Sequence, residues 1–546
     1  MRLRSVPRIR NGGTVARRGE GASGRSAAGK RGDGKATFPL RVGAIDLGSN
    51  AIRYIALEID ENGRQTALAA DRIPVRLGHG VFVSGKLGPE AMSAAVAALK
   101  GIRERFALLG IEHVSAVATS AVREASNGEA FVKRAKREAG VALATITGSE
   151  EARLVHLAVA SRMPLGDSPW LAADLGGGSV EVSLVDSSGV VWSESHTMGS
   201  VRLLEELAGA GDDPGRFRRL VGEYIETLRI PPAARSRPLA GFIATGGNIE
   251  ALARLAGVDG GATGIGVMPL ATLSGVIETL SRLSYRQRVA ELGLREDRAD
   301  VILPAALVYE RLCTLAGAEQ IQVPFVGLRE GLVADLAEQL TRHRAYEDRH
   351  EREVVAGALA VGRRYLFDEA HGMHVCRLAV SLFDQLRDEH ALGAGERRIL
   401  LAAAALHDIG SFISYKRHHK HSFYLISNSE LPGLAPREIL LAATVARYHR
   451  RAEPAADHEP YKELTRGEQE VVRRLAGLLR LADALDRDHR QRVQRVTAAR
   501  SGKDMVLQLD GAGDLLLERW ALQRRTALFE SEFGARVRLS EEARRP

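Results

Sequence analysis

Cysteine is scarce in this chain, with only Cys313 and Cys376 among 546 residues. Two cysteines cannot build a disulfide framework, so we expect a reducing compartment and a cytoplasmic protein. Aromatic residues make up only 5% of the chain against 45% hydrophobic residues, and its buried cores must therefore be mainly aliphatic. No apolar run approaches the roughly 18 residues of a membrane span, which argues against a membrane protein.

An excess of one charge is also absent from most of the chain. The formal net charge is +8, and residues 1–36 alone carry ten basic and two acidic side chains, a net of +8. The remainder is close to neutral, so the basic balance does not indicate a specific nucleic-acid-binding fold. Residues 1–37 are predicted to form a disordered basic tail, without the apolar segment of a secretory signal. An organelle transit peptide is the less favoured alternative.

The most informative stretch runs from Trp170 to Ser195 and reads as strand, acid, glycine turn and strand. Three consecutive glycines can accept positive φ and bring backbone N–H groups close to an anion. Asp174 precedes them, where a carboxylate suits a hard cation such as Mg²⁺ that bridges to phosphate oxygens. An ordinary glycine-rich hairpin is the alternative. The candidate residues of this stretch are Asp174, Gly176, Gly177, Gly178, Ser179 and Glu181.

The same pattern occurs earlier, in residues 41–60, where Asp46 also ends a strand before a glycine turn. Two related halves that face one another would place two acids and two anion-binding turns on opposite walls of one cleft. This arrangement resembles the superfamily of duplicated phosphate-binding domains that includes actin, the heat-shock chaperone ATPases and the sugar kinases. The glycine pair Gly246 and Gly247 falls where that superfamily has a third nucleotide-contacting turn.

Two further motifs lie between these copies. Arg123 stands between a predicted strand and a predicted helix, where it either grips phosphate or caps the helix. Glu150 and Glu151 open another predicted helix, and acids at that position commonly act only as caps. One of the two acids is expected to face the cleft.

Six phrases in order, DLGSN, TSAVREASN, GSEEA, DLGGGSVE, ATGGNIEAL and VGLREGL, resemble the exopolyphosphatase and guanosine pentaphosphate phosphatase family over residues 40–335. The resemblance implies Mg²⁺-dependent (or Mn²⁺-dependent) hydrolysis of terminal phosphate from polyphosphate or pppGpp by a homodimer. It implies that Glu151 activates water and that Glu181 is the second essential acid. The metal contacts implied are Asp46, Asp174 and Glu181. The phosphate contacts implied are Asp46, Gly48, Ser49, Asn50, Arg123, Gly176, Gly177, Gly178, Ser179, Gly246 and Gly247. Ala51 departs from the serine of many relatives.

The helical, histidine-rich part that follows resembles an HD domain, which the family also carries. His371, His407, Asp408 and Asp483 match the metal-ligand order of that domain, so a second metal site is expected there. Shortly after Asp408 comes a basic cluster that includes His418, His419 and His421, either a solvated loop or a wall that binds long anionic substrate.

The predicted fold class is α/β: duplicated actin-like, ribonuclease H-like domains, then an all-α HD-like domain and a small α/β terminal domain. The predicted bounds are 38–155 and 156–346 for the two actin-like domains, 347–497 for the HD-like domain and 498–546 for the last. Residues 345–352 are expected to form a charged linker.

Exopolyphosphatase activity is the favoured function, with pppGpp 5′-phosphohydrolase activity at the same site as the alternative. A sugar kinase would need an aspartate base and a sugar-binding insert, and no such insert is evident. A sensor that binds a phosphorylated ligand without hydrolysis would have no need of Glu151 and Glu181. The expected partners are therefore polyphosphate and pppGpp, with no specific nucleic acid and no membrane.

Overall fold

The computed structural model describes residues 37–207, 214–230 and 238–540. The predicted basic tail lies outside these residues, apart from Thr37. The described residues form two α/β halves built on separate sheets, followed by a helical region with a small terminal sheet. No helix among them is both long enough and apolar enough to cross a membrane.

The first half contains a five-stranded sheet with the strand order β3-β2-β1-β4-β5. β1 and β2 are almost wholly buried on both faces, which explains their near-continuous apolar sequence. β1 pairs antiparallel with β2 and parallel with β4. The strands are β1 (Leu40–Leu47), β2 (Ala51–Ile59), β3 (Gln65–Pro74), β4 (His113–Ala118) and β5 (Ala144–Thr145).

The second half repeats this plan in a six-stranded sheet with the order β10-β11-β9-β6-β7-β8. β6 pairs antiparallel with β7 and parallel with β9, as β1 does with β2 and β4. The predicted duplication is thus confirmed. The strands are β6 (Trp170–Leu175), β7 (Val180–Asp186), β8 (Gly189–His196), β9 (Phe242–Thr245), β10 (Gly266–Pro269) and β11 (Gln320–Val323).

Thirteen described helices accompany the two sheets, and two of them, α5 and α13, pack in the core that both sheets share. That core combines Ala44 of β1, Ala172 of β6, Leu154 of α5 and Leu332 of α13. The helices are α1 (Val81–Ser84), α2 (Pro89–Leu108), α3 (Ser120–Glu124), α4 (Gly128–Ala139), α5 (Gly148–Arg162), α6 (Ser200–Glu206), α7 (Pro214–Ile225), α8 (Gly247–Leu255), α9 (Leu270–Arg282), α10 (Tyr285–Leu292), α11 (Glu296–Ala299), α12 (Ile302–Leu315) and α13 (Leu328–Thr341).

The helical region and the terminal sheet share one hydrophobic core, in which Val375, Leu475, Met505 and Phe529 are buried together. Its helices are α14 (His343–Arg364), α15 (Glu369–Gln385), α16 (Arg387–His390), α17 (Ala394–Leu406), α18 (His418–Ser427), α19 (Pro436–Arg447), α20 (Arg466–Ala484), α21 (Leu516–Gln523) and α22 (Ala527–Phe533). The terminal strands are β12 (Val493–Ser501), β13 (Asp504–Gly511) and β14 (Arg536–Leu539). Short 3₁₀ turns occupy Gly261–Thr263, Ile409–Phe412 and Tyr461–Glu463.

The charged segment 345–352 is part of α14, and its prediction as a linker was wrong. Arg349 of this segment is paired, since it contacts Glu353 one helical turn onward and Asp335 of α13. The predicted boundaries after residues 155 and 346 fall inside α5 and α14.

Candidate active site

Two glycine turns face each other where β1 and β6 end. Asp46 closes β1 and Asp174 closes β6, and both carboxylates are buried. The turns are in close contact: a Cβ atom on Gly177 would lie only 2.9 Å from the Cβ of Ser49. The duplicated strand-turn-strand units therefore form the two walls of one narrow cleft.

Two glycines of the second turn, Gly177 and Gly178, are required by space and not by backbone conformation. None of Gly176, Gly177 and Gly178 has positive φ, so this expectation from the sequence was wrong. A Cβ on Gly178 would lie 2.4 Å from both the Phe82 ring and the Ser120 hydroxyl oxygen. Within the described residues, Gly177 and Gly178 donate their N–H groups to no protein acceptor, which leaves both donors available to an anion.

Glu151 lies in the first turn of α5, and its neighbour Glu150 has a separate role. Thr147 caps the helix by accepting a hydrogen bond from the backbone N–H of Glu150. The Glu150 carboxylate pairs with Arg153, outside the acidic cluster. Glu151 instead points at the two sheets, where its side chain is buried beside Asp174 and Glu181.

Three carboxylates thus meet in the cleft, and ligand oxygens of Glu151, Asp174 and Glu181 lie within 4.8 Å of one another. Burial, followed by the charge of Glu181, raises the pKa of Glu151 well above its ordinary value. Burial and Asp174 raise the pKa of Glu181 to about 7. Burial also raises the pKa of Asp174, and burial with Asp174 raises that of Asp46 to about 6 although Arg53 opposes the shift.

These acids fit a divalent cation. The Oε2 atoms of Glu151 and Glu181 are buried and have no hydrogen-bond partner among the described residues. Carboxylate oxygens are the preferred ligands of Mg²⁺ and Mn²⁺, and a cation would reverse the electrostatic cost of clustering them. Asp174, Glu181 and Asp46, the predicted metal contacts, all line this cleft together with Glu151 or lie beside it.

The remaining predicted phosphate contacts are gathered around the same cleft. Arg123 donates to the Ile146 carbonyl at 2.9 Å and lies 3.8 Å from Glu151 Oε2, so it flanks the Glu151 carboxylate. Ser49 shares a hydrogen bond of 3.0 Å with Ser120. The cleft is lined by Asp46, Gly48, Ser49, Asn50, Glu151, Asp174, Gly176, Gly177, Ser179 and Gly246, while Gly178 packs against the Ser120 side of the turn.

Beyond Gly246 and Gly247 the cleft opens into a cavity of about 450 Å³ rich in arginine. Burial, followed by the neighbouring charges of Arg53 and Arg72, lowers the pKa of Arg298 to about 9. Leucine side chains line part of the wall. The arginines of the cavity are Arg53, Arg72, Arg254, Arg295, Arg298 and Arg329.

Sequence reasoning missed three residues that shape the site. Thr245 donates to Asp174 Oδ1 at 2.8 Å, and Ser195 donates to Glu181 Oε1 at 2.9 Å, so each orients one acid. Arg53 lies opposite Asp46 in the β1/β2 register, as Glu181 lies opposite Asp174 in β6/β7. Their equal spacing of seven residues after each acid was the signal that could have identified Arg53.

A contact from the helical region holds the N-terminus of α5, and we call it the Glu430 clamp. Glu430 accepts hydrogen bonds from the N–H of Ser149 at 2.8 Å and of Gly148 at 3.4 Å. In return, Glu150 accepts the N–H of Gly433 at 2.9 Å. Acceptors at these positions satisfy the free N–H groups and the dipole of the helix that carries Glu151.

The four predicted HD residues, His371, His407, Asp408 and Asp483, do converge in the helical region. His418 joins them and is only 1% exposed, so it cannot form part of an open substrate wall, contrary to expectation. Burial and the neighbouring His449 and His418 lower the pKa of His419 to about 4, which removes its positive charge at neutral pH. His421 is partly buried in α18.

Duplicated sheets, facing anion-binding turns and a buried acid cluster define a phosphohydrolase of actin-like fold. The comparison with known families specifies it further: residues 57–340 match the Ppx/GppA phosphatase family, and residues 355–527 match its domain III. The first match alone spans more than half of the chain. The chain belongs to the Ppx/GppA phosphatase family and is a hydrolase that acts on phosphoanhydride bonds.

Solved structures of the same family are similar to this chain. An exopolyphosphatase from Cytophaga hutchinsonii is 28% identical and covers 55% of this chain and 97% of its own, with a TM-score of 0.51. The Aquifex aeolicus member of the Ppx/GppA family is 26% identical over 56% of this chain and 99% of its own, with a TM-score of 0.47. Both are matched almost completely by little more than half of this chain.

Proposed function

We propose that the protein is an exopolyphosphatase that removes terminal phosphate from inorganic polyphosphate. The observation that carries the proposal is the buried Glu151 carboxylate between the two glycine turns, whose Oε2 receives no hydrogen bond from the described residues. A carboxylate whose pKa is raised by burial is a stronger base towards water than an exposed carboxylate. Asp174 and Glu181, supported by Thr245 and Ser195, would hold Mg²⁺ or Mn²⁺.

Each part of the reaction is then assigned to particular residues of the chain. Glu151 orients a water molecule and accepts its proton, the water oxygen attacks the terminal phosphorus, and the bond from phosphorus to the bridging oxygen breaks. The N–H groups of Gly177 and Gly178 donate to oxygens of the transferred group, where negative charge is spread in the transition state. A bound divalent cation would supply further charge neutralisation.

The arginine-rich cavity supports a polyanionic substrate. A phosphate chain carries about one negative charge per residue, and several guanidinium groups beside the cleft can bind successive phosphates. The pppGpp alternative has its own support, because the leucine side chains in the cavity wall and its volume of about 450 Å³ suit a nucleoside. Both substrates would present the same terminal phosphoanhydride to Glu151.

The test is a kinetic comparison of the wild-type protein on long-chain polyphosphate and on pppGpp, with Mg²⁺ and with phosphate release as the readout. We expect the higher kcat/KM on polyphosphate. A higher value on pppGpp would assign the cavity to the nucleoside. Release of phosphate from neither substrate would favour a sensor, and in that case isothermal titration with each ligand should still detect binding.

A further inference from the structure

The second glycine turn lies directly on the segment where α6 begins. A Cβ atom on Gly199 would lie 2.3 Å from the carbonyl carbon of Gly178 and 2.4 Å from the carbonyl oxygen of Gly177. Such a close approach of two backbones leaves room for glycine alone at this position. The backbone of the turn therefore contacts the backbone of residues 199–202 with no side chain between them.

Each carbonyl group of the turn accepts a hydrogen bond from this segment. The Gly176 carbonyl accepts the N–H of Ser200 at 3.1 Å, and the Gly177 carbonyl accepts the N–H of Arg202 at 3.0 Å. The Gly178 carbonyl is bound by a side chain instead, since Nε of Arg202 donates to it at 2.7 Å. Three consecutive carbonyl groups thus point towards α6.

The direction of these carbonyl groups determines the direction of the neighbouring N–H groups. Every peptide bond of the turn is trans, and in a trans peptide the C=O and the N–H point in opposite directions. The N–H groups of Gly177, Gly178 and Ser179 therefore point away from α6, towards the cleft that Gly177 and Ser179 line. Among the described residues, the N–H of Ser179 also donates to no protein acceptor. The turn thus presents three free donors to an anion.

The Arg202 side chain is held by residues of the first half. It is only 7% exposed, and its Nη2 donates to Glu124 of α3 at 2.6 Å. Its guanidinium group also lies over the ring of Phe82 in α1, 4.1 Å from the ring centroid. The glycine turn itself belongs to the second half. Arg202 is therefore fixed against the Gly178 carbonyl only while the two halves are together.

The corresponding arginine of the first half has a different position. The sequence Val-Arg-Leu follows the third strand of each half, at residues 75–77 and 201–203. The N–H of Arg76 donates to the Asn50 carbonyl of the first turn at 3.0 Å, so the backbone support is duplicated. The Arg76 side chain, however, is 44% exposed and pairs with Asp300 at 3.0 Å. Support of a turn by the arginine side chain is thus a property of the second half.

We propose that Arg202 is a positioning residue for phosphoryl transfer. By fixing the Gly178–Ser179 peptide, it makes the N–H of Ser179 a third donor to the transferred group, beside those of Gly177 and Gly178. Its positive charge also polarises the peptide that it binds, which strengthens donation by Ser179. Such donors act most strongly where negative charge develops in the transition state. The role of Arg202 in catalysis rests on the proposed function, whereas the arrangement of the donors suits any terminal phosphoanhydride.

The first test measures phosphate release from polyphosphate by full-length Arg202→Met, which keeps an apolar stem but loses the donors. We expect kcat to fall about 10- to 100-fold with KM changed by less than about threefold, because the donors act in the transition state. Arg480→Met is the matched control, since Arg480 is also buried and donates to backbone carbonyls, but in the helical region. Equal losses of kcat in the two variants would make Arg202 a purely structural residue and overturn the proposal.

Glu124→Gln tests the same contact at a position that is 35% exposed, where the fold tolerates change more readily. We expect kcat to fall about 2- to 5-fold in the wild-type background and no further in Arg202→Met, because both residues act through one contact. The thermal unfolding midpoint of each variant is measured alongside. Additive losses of kcat would show that Glu124 acts independently of Arg202 and would overturn the dependence on the first half.

Orthovanadate separates the role of Arg202 from the identity of the substrate, because it resembles the transferred phosphoryl group and needs no turnover. Isothermal titration with Mg²⁺ present compares vanadate and inorganic phosphate on wild type and Arg202→Met. We expect the variant to lose about 10-fold in vanadate affinity and less than about 3-fold in phosphate affinity. This difference without phosphate release from polyphosphate or pppGpp by wild type would refute the proposed function and support the positioning role. Equal vanadate affinities, or no binding by wild type, would overturn the positioning role.

Discussion

At the scale of single residues, Glu150 and Glu151 are neighbours in one helical turn but have different surroundings. Both open α5, yet Glu150 pairs with Arg153 and accepts the Gly433 N–H, whereas Glu151 faces the acids of the cleft. One hundred degrees of helical rotation per residue is enough to assign them to opposite surroundings. The sequence motif identifies the two acids as a pair. Only the packing of α5 shows which of them faces the cleft.

Glu151→Gln should lower kcat by about 100-fold or more with little change in KM, because the amide keeps the shape but cannot accept the proton. The measurement is steady-state phosphate release from polyphosphate. Glu129→Gln is the matched control, since Glu129 also lies in the first turn of a helix but is exposed. A raised KM at unchanged kcat would instead make Glu151 a binding residue.

At the scale of elements, the Glu430 clamp links α5 to the loop that precedes α19. Glu430→Ala leaves two N–H groups of α5 without their acceptor, and such losses typically cost about 1 kcal/mol. We expect kcat to fall by about 3- to 30-fold with KM almost unchanged, because Glu151 loses its fixed position. Glu430→Gln, which keeps a carbonyl acceptor, should restore most of the rate. Equal defects in both variants would argue against a positioning role.

His350, a buried residue of α14, makes the stability of the folded protein depend on pH. Burial, followed by the charge of Arg153, lowers its pKa to about 3, so the folded protein holds the neutral ring. A lowered pKa contributes stability that is complete above about 6.5, the ordinary value, and is lost as pH falls from there towards 3. Each pH unit in that window costs up to about 1.4 kcal/mol from this group.

His350→Phe should therefore flatten the decline of stability below pH 6.5, measured as the free energy of unfolding in urea between pH 7.5 and 4.5. The ring contact with Tyr346, at 4.7 Å between centroids, is a packing interaction that phenylalanine can retain. His79→Gln is the control, because His79 is largely exposed. An unchanged slope in His350→Phe would mean that the ring is already protonated in the folded state.

Much of the fold was predictable because its determinants are local. The pattern of strand, acid, glycine turn and strand is only about twenty residues long in each of its two copies. Its repetition predicts both sheets and the placement of Asp46, Asp174 and Glu181. The contacts that could not be predicted join residues that are far apart in the sequence. Glu430 reaches Ser149 across 281 positions, and His449 meets His418 only after two helices have packed, so neither follows from spacing.

At the scale of the whole molecule, the arginine-rich cavity should govern the response to substrate length. Arg254→Gln/Arg295→Gln should raise KM for long polyphosphate by about 3- to 10-fold and weaken its salt dependence, because fewer counterion-releasing contacts remain. Hydrolysis of tripolyphosphate should change little. Phosphate release at several salt concentrations measures both effects. Arg466→Gln, at a site 94% exposed on α20, is the control, and an equal effect there would indicate a nonspecific charge response.

The Glu430 clamp also bears on differences in length between chains of this family. The Cytophaga hutchinsonii exopolyphosphatase is matched over 97% of its length by 55% of this chain, so much of the remainder has no counterpart in it. In this protein, part of the support for the helix that carries Glu151 is supplied by the helical region, through Glu430. Any chain without such a region must satisfy those N–H groups with other acceptors or with water. Cutting this chain after α13 would expose a helix end whose acceptors belong to the part removed.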